Sequence, residues 1–393
     1  MSATRGVHCI AKPEPVLYLA FELGWSEWKL AFSPGVGVPA RLRTIGARQV
    51  ERLAVEIAKA KQRLGLPEDA VVRSCYEAGR DGFWLHRYLT SQGIDNRVVD
   101  SASIEVNRRA RRAKSDRLDA RKLLGQLLRY HHGEERVWAV VVVPGVAEED
   151  KRQLHRELLA LKGERTEHVN RIKGLLAGCG LAVAVDARFL GRLDALRTWD
   201  GQALPSALRA RLEREYARWG LVDEQIRSLE KQRVQRIREN PTEEVRKVRR
   251  LLQLAGVGPN SAWLLVHELF GWRRFQNRRQ RAALAGLAPT PYQSGPSHHE
   301  QGISKAGNPR LRAMLVEVAW GWLRWQPRSR LSRWYQERFG NGTSRYRRVG
   351  IVALARKLLL ALWRYVETGE VPEGAERVDW EAKLKGRRVA LMA

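Results

Sequence analysis

The sequence predicts a mixed α/β domain at the N-terminus, then a helical coiled-coil hairpin, then a mostly α-helical C-terminal domain. Three observations lead to this fold class. Strand-like and helix-like segments alternate in the first third of the chain, long apolar stripes at helical spacing follow, and a Gly-Val-Gly turn later separates two apolar helical segments. The chain has 393 residues, 44% of them hydrophobic, so it is long enough for two or three domains with separate cores.

Apolar runs and apolar spacing define the N-terminal elements. Residues 16–24, 27–33 and 41–47 predict three consecutive strands of a β-meander. Alternating elements follow them, namely a helix over 48–64, a strand over 70–77, a helix over 80–93, a strand over 96–100 and a helix over about 115–130. This alternation predicts a mixed sheet with helices against it, in a domain over 14–145.

Two long segments predict the helical hairpin, within a region over 146–248. Residues 148–178 carry a leucine stripe without proline, and residues 206–250 repeat the pattern until Asn240-Pro241 interrupts it. Such arms commonly serve oligomerisation or spacing. An ordinary all-α subdomain has the same pattern, and the sequence leaves both interpretations open.

Residues 249–330 predict the helical C-terminal domain. There Gly256-Val257-Gly258 joins two apolar segments, as in a helix-hairpin-helix-like element. Such a turn can present the Gly258 end and its backbone N–H groups to a phosphate, although a glycine turn between core helices gives the same pattern.

The remaining residues, 331–393, predict a basic, Trp-rich helical tail. Trp334, Tyr335 and Tyr346 alternate with arginines in it. These rings either stack on unpaired bases or pack in the core, which is the commoner place for a tryptophan.

The charge balance indicates a polyanionic partner. Lys and Arg number 71 against 43 Asp and Glu, which gives a net charge of +28. Nucleic acid is the usual partner of so basic a chain, through phosphate neutralisation and counterion release. A basic housekeeping protein, or one from a thermophile or a high-GC genome, is the alternative.

The cysteines and the hydropathy indicate the compartment. Cys9, Cys75 and Cys179 are widely spaced and odd in number, so neither a zinc ribbon nor a disulfide framework is expected. The sequence shows no signal peptide and no apolar run of membrane-spanning length. We therefore expect a cytoplasmic protein without a membrane partner.

Four carboxylates stand at positions that favour a metal site. Glu22 and Glu77 end predicted strands, and Asp116 and Asp119 share one face of a predicted helix. Several hard oxygen ligands converging on a phosphodiester are what Mg²⁺-assisted phosphoryl chemistry requires. Taken singly, the two aspartates also fit a solvated helix N-terminus, and Glu77 also fits a surface position.

The segments around these acids resemble a known family. AFELGWSEWKLA, YEAGRDGFWLHRYL and KSDRLDARKLL are similar to the Asp-Glu-Asp-Asp motif of DEDD insertion-sequence transposases, bridge-RNA-guided recombinases related to Piv-type DNA invertases. The resemblance implies a RuvC-like (RNase H-like) N-terminal domain that binds Mg²⁺ through Glu22, Glu77, Asp116 and Asp119. The family pattern usually has Asp at the first position, and the extra methylene of Glu22 moves its oxygens outward by about 1.5 Å.

A second region of resemblance lies near the C-terminus. RRFQNRRQRAALAGLAPTPYQSGPSHHEQGISKAGNPRLRAMLVEVA is similar to the C-terminal transposase domain of the same family. The resemblance places the nucleophile on Ser294, with Ser297 and Ser304 as neighbours. Taken alone, a serine before Gly-Pro is usually a turn residue. The implied chemistry is phosphoryl transfer through a phosphoserine.

Clusters of cations surround both regions. Lys305, Arg310 and Arg312 are candidate phosphate clamps, or general backbone contacts. Cations that directly precede the paired aspartates are candidate nucleic-acid ligands, namely Arg108, Arg109, Arg111, Arg112 and Lys114. The resemblance further implies a guide RNA, double-stranded donor and target DNA, and a homo-dimer or tetramer with shared sites.

Three functions remain open on the sequence alone. The first is an RNA-guided serine recombinase of a mobile element. The second is a Mg²⁺-dependent nuclease or junction resolvase that uses water, and Ser294 discriminates it from the first. The third is a non-catalytic nucleic-acid-binding relative, which the glutamate at position 22 favours.

Overall fold

The computed structural model describes residues 14–104, 116–134, 136–275, 277–294 and 297–390. The chain divides into two compact units, Met1–Pro144 and Gly145–Ala393. Among the described residues, no helix has the length and apolar character needed to cross a membrane.

A five-stranded mixed sheet forms the first unit. Its strands are β1 (Val16–Leu23), β2 (Glu27–Ser33), β3 (Arg41–Gly46), β4 (Val71–Glu77) and β5 (Asp95–Val99), in the order β3-β2-β1-β4-β5. The first three strands are antiparallel, as the predicted meander requires, and β4 and β5 run parallel to β1. The predicted α/β class and all five strands are confirmed.

Helices cover both faces of this sheet. They are α1 (Val50–Arg63), α2 (Trp84–Ser91) and α3 (Asp116–His131), with a 3₁₀ turn at Ser101–Ser103. Side chains alternate along a strand. Leu19 and Phe21 of β1 therefore pack in the core that α1 and α2 share, whereas Ala20 packs in the core with α3. Burial on both faces explains why β1 reads as a continuous apolar run.

A long antiparallel helical hairpin begins the second unit. Its helices are α4 (Val146–Asp150), α5 (Gln153–Ala177), α6 (Phe189–Arg192) and α7 (Ser206–Glu239), with a 3₁₀ turn at Leu193–Ala195. Leu158 of α5 packs with Ile226 of α7, and Leu176 packs with Leu212. The predicted hairpin is confirmed, and α7 ends directly before Asn240-Pro241.

The rest of the second unit is mostly helical, as predicted. The helices are α8 (Glu243–Leu252), α9 (Pro259–Leu265), α10 (Arg278–Leu284), α11 (Pro309–Trp325), α12 (Arg330–Tyr335), α13 (Ser344–Thr368) and α14 (Trp380–Ala390), with π-helical turns at Val266–Phe270 and Gln336–Gly340. One buried core contains Leu251, Leu265, Leu315 and Leu358. The residues after 330 thus contribute to the same core as those before it.

A β-hairpin interrupts these helices. Strand β6 (Pro289–Ser294) pairs with β7 (Ser297–Ile303), and Ser294 lies opposite Ser297 in the register. This hairpin is not predicted from the sequence, because its prolines and polar residues give a weak strand pattern.

The Gly-Val-Gly turn joins α8 and α9 as predicted, and the Gly258 N–H has a partner within the chain. The Gly258 N–H donates to Ser261 Oγ at 3.1 Å. Gly256 has φ +83°, and a Cβ there would lie 3.3 Å from the Gly321 carbonyl oxygen. The turn is therefore a close packing contact with α11, which fits the alternative of a glycine turn between core helices.

The aromatic residues of the tail contribute mainly to packing. Tyr335 is buried, and its hydroxyl donates to the Arg347 carbonyl at 3.2 Å. Trp334 is half-buried and lies under Lys357, whose Nζ is 4.5 Å from the ring centroid. Tyr346 is the more exposed ring, so packing in the core fits Tyr335 best.

Candidate functional site

Three of the four predicted carboxylates line one cleft in the first unit. This acidic cleft has a volume of about 500 Å³, and Glu22, Glu77 and Asp119 all lie on its walls. The other side chains that line it are Leu23, Tyr76, Ala78, Arg80, Asp81, Ser101, Ile104, Lys122 and Leu123, with Gly79. The cleft thus brings together three of the acids that the sequence analysis placed in a metal site.

The parallel pairing of β1 with β4 explains why Glu22 and Glu77 line the same cleft. Phe21 pairs with Tyr76, so the next residue on each strand stands at the same edge of the sheet. The apolar Phe21 and Tyr76 are buried, and the acids that follow them reach the surface. The strand ends thus fix the two carboxylates independently of any loop.

Helix α3 supplies the third carboxylate. Its apolar face, which includes Ala120 and Leu123, packs on the sheet beside Ala20 of β1. Asp119 adjoins that buried face and is half-buried at the cleft wall. Packing of the helix on the sheet therefore fixes the position of Asp119.

Asp116 is placed differently from the other three acids. It is the first residue of α3, it is exposed, and it does not line the acidic cleft. The basic residues predicted just before it, Arg108, Arg109, Arg111, Arg112 and Lys114, lie outside the described residues.

The acidic cleft offers donor atoms of the right chemistry for Mg²⁺. Carboxylate oxygens are the ligands that this ion prefers. Within the described part of the chain, however, no three His, Cys, Asp or Glu side chains are already close enough together to hold an ion. The structure therefore provides the cleft walls and the donor groups, but not a closed coordination shell.

Three further charged residues line the cleft and were not predicted from the sequence. Arg80 and Lys122 are basic, and Asp81 is a further acid. Arg80 and Asp81 stand in the segment YEAGRDG, three and four residues after Glu77, where their closeness to a strand end could have indicated them.

The predicted nucleophile and phosphate clamps belong to the second unit. Ser294 is the last residue of β6. Lys305 is exposed and has φ +56°, and its carbonyl accepts a hydrogen bond from Arg312 Nη1 at 2.8 Å. Arg310 is exposed in the first turn of α11. Arg312 therefore helps to hold the loop before α11, and Lys305 and Arg310 face solvent.

A buried ionic cluster supports the start of α11. Glu268 accepts from Arg156 Nη2 at 3.2 Å and from Asn308 Nδ2 at 3.3 Å, and it lies 3.7 Å from Arg152 Nη1. Asn308 in turn caps α11 by accepting from the backbone N–H of Arg310. The cluster therefore ties the cap of α11 to the base of α5.

The same cluster holds buried cations whose charge needs compensation. Burial and, to a smaller extent, the neighbouring charge of Arg152 lower the pKa of the Arg273 guanidinium to about 10, and Glu268 opposes this shift. Burial also lowers the pKa of Arg152, again opposed by Glu268. Glu268 is thus the carboxylate that offsets these buried charges, and it went unnoticed in the apolar run LLVHELF.

We expect Glu268→Ala to destabilise the second unit by about 3–5 kcal/mol, because it leaves a buried arginine without its counter-ion. Urea denaturation followed by circular dichroism at 222 nm measures this free energy of unfolding. Glu243 pairs with Arg246 on the surface, so Glu243→Ala is the matched control and should cost less than about 1 kcal/mol. An equally small decrease in the free energy of unfolding in both variants would show that the buried cluster does not stabilise the fold.

Comparisons with known proteins identify transposases similar to this chain. A sequence model described as the transposase IS116/IS110/IS902 family matches residues 248–333, a segment that contains Ser294. A putative transposase, y4rJ, of Sinorhizobium fredii is 44% identical over 376 residues, which cover 91% of this chain and 94% of the relative.

More distant relatives carry similar descriptions. The transposase for insertion sequence element IS1328 of Yersinia enterocolitica is 30% identical over 56% of this chain and 63% of its own length. The transposase for IS1111A of Coxiella burnetii is 25% identical over 72% of each chain. Because the similarity to y4rJ spans almost the whole of both proteins, the chain belongs to the IS116/IS110/IS902 family of transposases.

Proposed function

We propose that this transposase cuts and rejoins DNA through a phosphoserine on Ser294, with Mg²⁺ held in the acidic cleft. The location of Glu22, Glu77 and Asp119 on the walls of one cleft carries the proposal. The strand order β3-β2-β1-β4-β5, with β4 and β5 parallel to β1, supports a RuvC-like assignment for the first unit.

The residues that would hold the metal are Glu22, Glu77 and Asp119, with Asp116 as the fourth ligand. Asp116 lies one helical turn before Asp119, so both side chains project from the same side of α3. A bound Mg²⁺ supplies charge neutralisation and Lewis acidity at a phosphodiester. Without a cation, carboxylates gathered at one place would repel each other and a DNA phosphate.

The serine step is a transesterification that needs no external energy source. Ser294 Oγ forms a bond to phosphorus and gives up its proton, while the bond from phosphorus to the 3′ oxygen breaks and that oxygen takes a proton. A 3′ hydroxyl of the other DNA then attacks the phosphoserine, and Ser294 leaves with its hydroxyl restored. Lys305 and Arg310, which face solvent near the start of α11, would bind the phosphate oxygens.

The partners we propose are double-stranded donor and target DNA, a guide RNA, and further copies of the chain. The net charge of +28 supports binding of long polyanions. Because Ser294 and the acidic cleft belong to different units, subunits of a dimer or tetramer can combine these groups into shared sites.

Calorimetric titration with Mg²⁺ tests the metal site directly. We expect Asp116→Asn combined with Asp119→Asn to weaken binding at least about tenfold, because two anionic ligands become neutral. Glu51 is exposed on α1, so Glu51→Gln is the control and should bind as the parent does. Equal affinities for Mg²⁺ in the double variant and the parent would contradict the proposed metal site.

A further inference from the structure

An exposed tryptophan stands next to the acidic cleft. Trp25 lies in the turn between β1 and β2, three residues after Glu22, and 67% of its surface is exposed. The turn is tight, because a Cβ on Gly24 would lie 2.5 Å from the Glu27 carbonyl oxygen. The ring is therefore held at the surface by a turn that the cleft-lining strand itself begins.

Two arginines lie over this ring. The Arg48 guanidinium carbon is 4.7 Å from the ring centroid of Trp25, and that of Arg80 is 4.9 Å away. Arg48 adopts φ +67°, and its Nη1 donates to the Trp25 carbonyl at 3.2 Å. A positive φ is uncommon for a residue with a side chain, so Arg48 has an unusual backbone conformation beside the ring.

A single buried carboxylate orients both arginines. Asp81 Oδ1 lies 3.1 Å from Arg48 Nη2, and its Oδ2 lies 3.8 Å from Arg80 Nη2. Only 7% of the Asp81 side chain is exposed, against 43% for Arg48 and 57% for Arg80. One anion between two exposed cations leaves an excess positive charge that faces solvent.

This arrangement fits an unpaired nucleic-acid strand. Guanidinium groups bind phosphate oxygens in a bidentate manner, and an exposed indole ring stacks on a base of any sequence. Arg80 and Asp81 also line the acidic cleft. A strand with one phosphodiester in the cleft would therefore place a neighbouring nucleotide on Trp25.

We infer that Trp25, Arg48 and Arg80 form a strand grip, which binds an unpaired nucleotide beside the scissile phosphodiester, with Asp81 as its positioning residue. This inference rests on the proposed function only for the place of the scissile phosphodiester. The chemistry recognised is a phosphodiester with an unstacked base, which single-stranded DNA and RNA share.

Fluorescence anisotropy with labelled single-stranded DNA, single-stranded RNA and duplex DNA of one sequence, in EDTA, tests the grip. We expect Trp25→Ala to weaken single-strand binding about tenfold and duplex binding less than twofold. Arg80→Ala should lower the slope of log affinity against log salt for single strands by about 0.7. If the variants lose affinity only for single-stranded DNA, or only for single-stranded RNA, that nucleic acid is the strand that the grip binds.

Two matched controls accompany these variants. Trp199 is 86% exposed in the second unit, and Arg63 is exposed on α1, so Trp199→Ala and Arg63→Ala should keep the parental preference for single strands. Unchanged single-strand binding in both Trp25→Ala and Arg80→Ala would overturn the grip.

The positioning role of Asp81 has its own readout. Asp81→Asn removes a negative charge, so a purely electrostatic effect would strengthen binding to single strands and duplex alike. Loss of orientation instead lowers the ratio of single-strand to duplex affinity, and that is the result we expect. A ratio unchanged from the parent would contradict the role of Asp81.

The experiments can contradict the grip without contradicting the metal site, and can contradict the metal site without contradicting the grip. Asp119→Asn should lose Mg²⁺ affinity but should not weaken single-strand binding in EDTA, because it removes a charge that repels phosphate. Trp25→Ala should weaken single-strand binding and keep the Mg²⁺ affinity. In addition, an oligonucleotide carrying 5-bromouracil should crosslink under ultraviolet light to the peptide that contains Trp25. A crosslink found elsewhere in the chain and absent from that peptide would contradict the grip even if the metal site is confirmed.

Discussion

Asp119→Asn is expected to lower strand transfer by at least about a thousandfold, because a neutral amide replaces an anionic ligand where phosphodiester charge must be offset. Asn has nearly the same shape as Asp, and the face of α3 that packs on the sheet is unchanged. The loss should therefore come from chemistry and not from unfolding. The measurement is recombination between donor and target plasmids in the presence of Mg²⁺, scored by amplification across the new junctions.

The control for this experiment is Glu51→Gln, which also replaces a carboxylate of the first unit but lies on α1, outside the cleft lining. It should retain activity within about twofold, as is usual for a surface substitution away from functional groups. Asp119→Asn with parental activity would show that the acidic cleft is not the reaction centre.

Ser294→Ala is expected to abolish both strand exchange and any covalent protein–DNA adduct, a loss of at least about a thousandfold, because no other group replaces a missing nucleophile. The adduct is detected as labelled DNA that migrates with the protein on a denaturing gel. Alanine removes only the hydroxyl, so the pairing of β6 with β7 through their backbones is preserved.

Ser297→Ala is the matched control for the nucleophile. Ser297 pairs with Ser294 in the register of the hairpin, so Ser297→Ala removes a hydroxyl from a neighbouring position. Retention of adduct and recombination in Ser297→Ala, with loss in Ser294→Ala, is the expected pattern. Full recombination by Ser294→Ala would favour a nuclease or resolvase that uses water.

The sequence predicted the N-terminal fold well because burial there leaves a strong pattern. Strand β1 is apolar on both faces, since helices cover both sides of the sheet, and its end fixes the place of Glu22. The register with β4 then brings Glu77 to the same edge. Strand ends that are fixed by core packing are therefore predictable together with the acids that follow them.

The parts that sequence reasoning missed depend on contacts between distant segments. Arg48 reaches Asp81 across 33 positions of the chain, and Glu268 contacts Arg156 across 112. Hydrophobic periodicity within a short segment cannot predict contacts between residues so far apart in the sequence. The β6–β7 hairpin was missed for a different reason, because its polar and proline-containing strands lack apolar alternation.

The joint action of the acidic cleft and Ser294 on one phosphodiester is tested most directly by identifying the residue that becomes linked to DNA. The reaction is run with Mg²⁺, stopped in denaturant, digested with nuclease and protease, and analysed by mass spectrometry. We predict a nucleotide on Ser294 in the parent chain, and none in Asp119→Asn. Recombined DNA formed with no nucleotide on Ser294, or an adduct that persists undiminished in Asp119→Asn, would contradict this account.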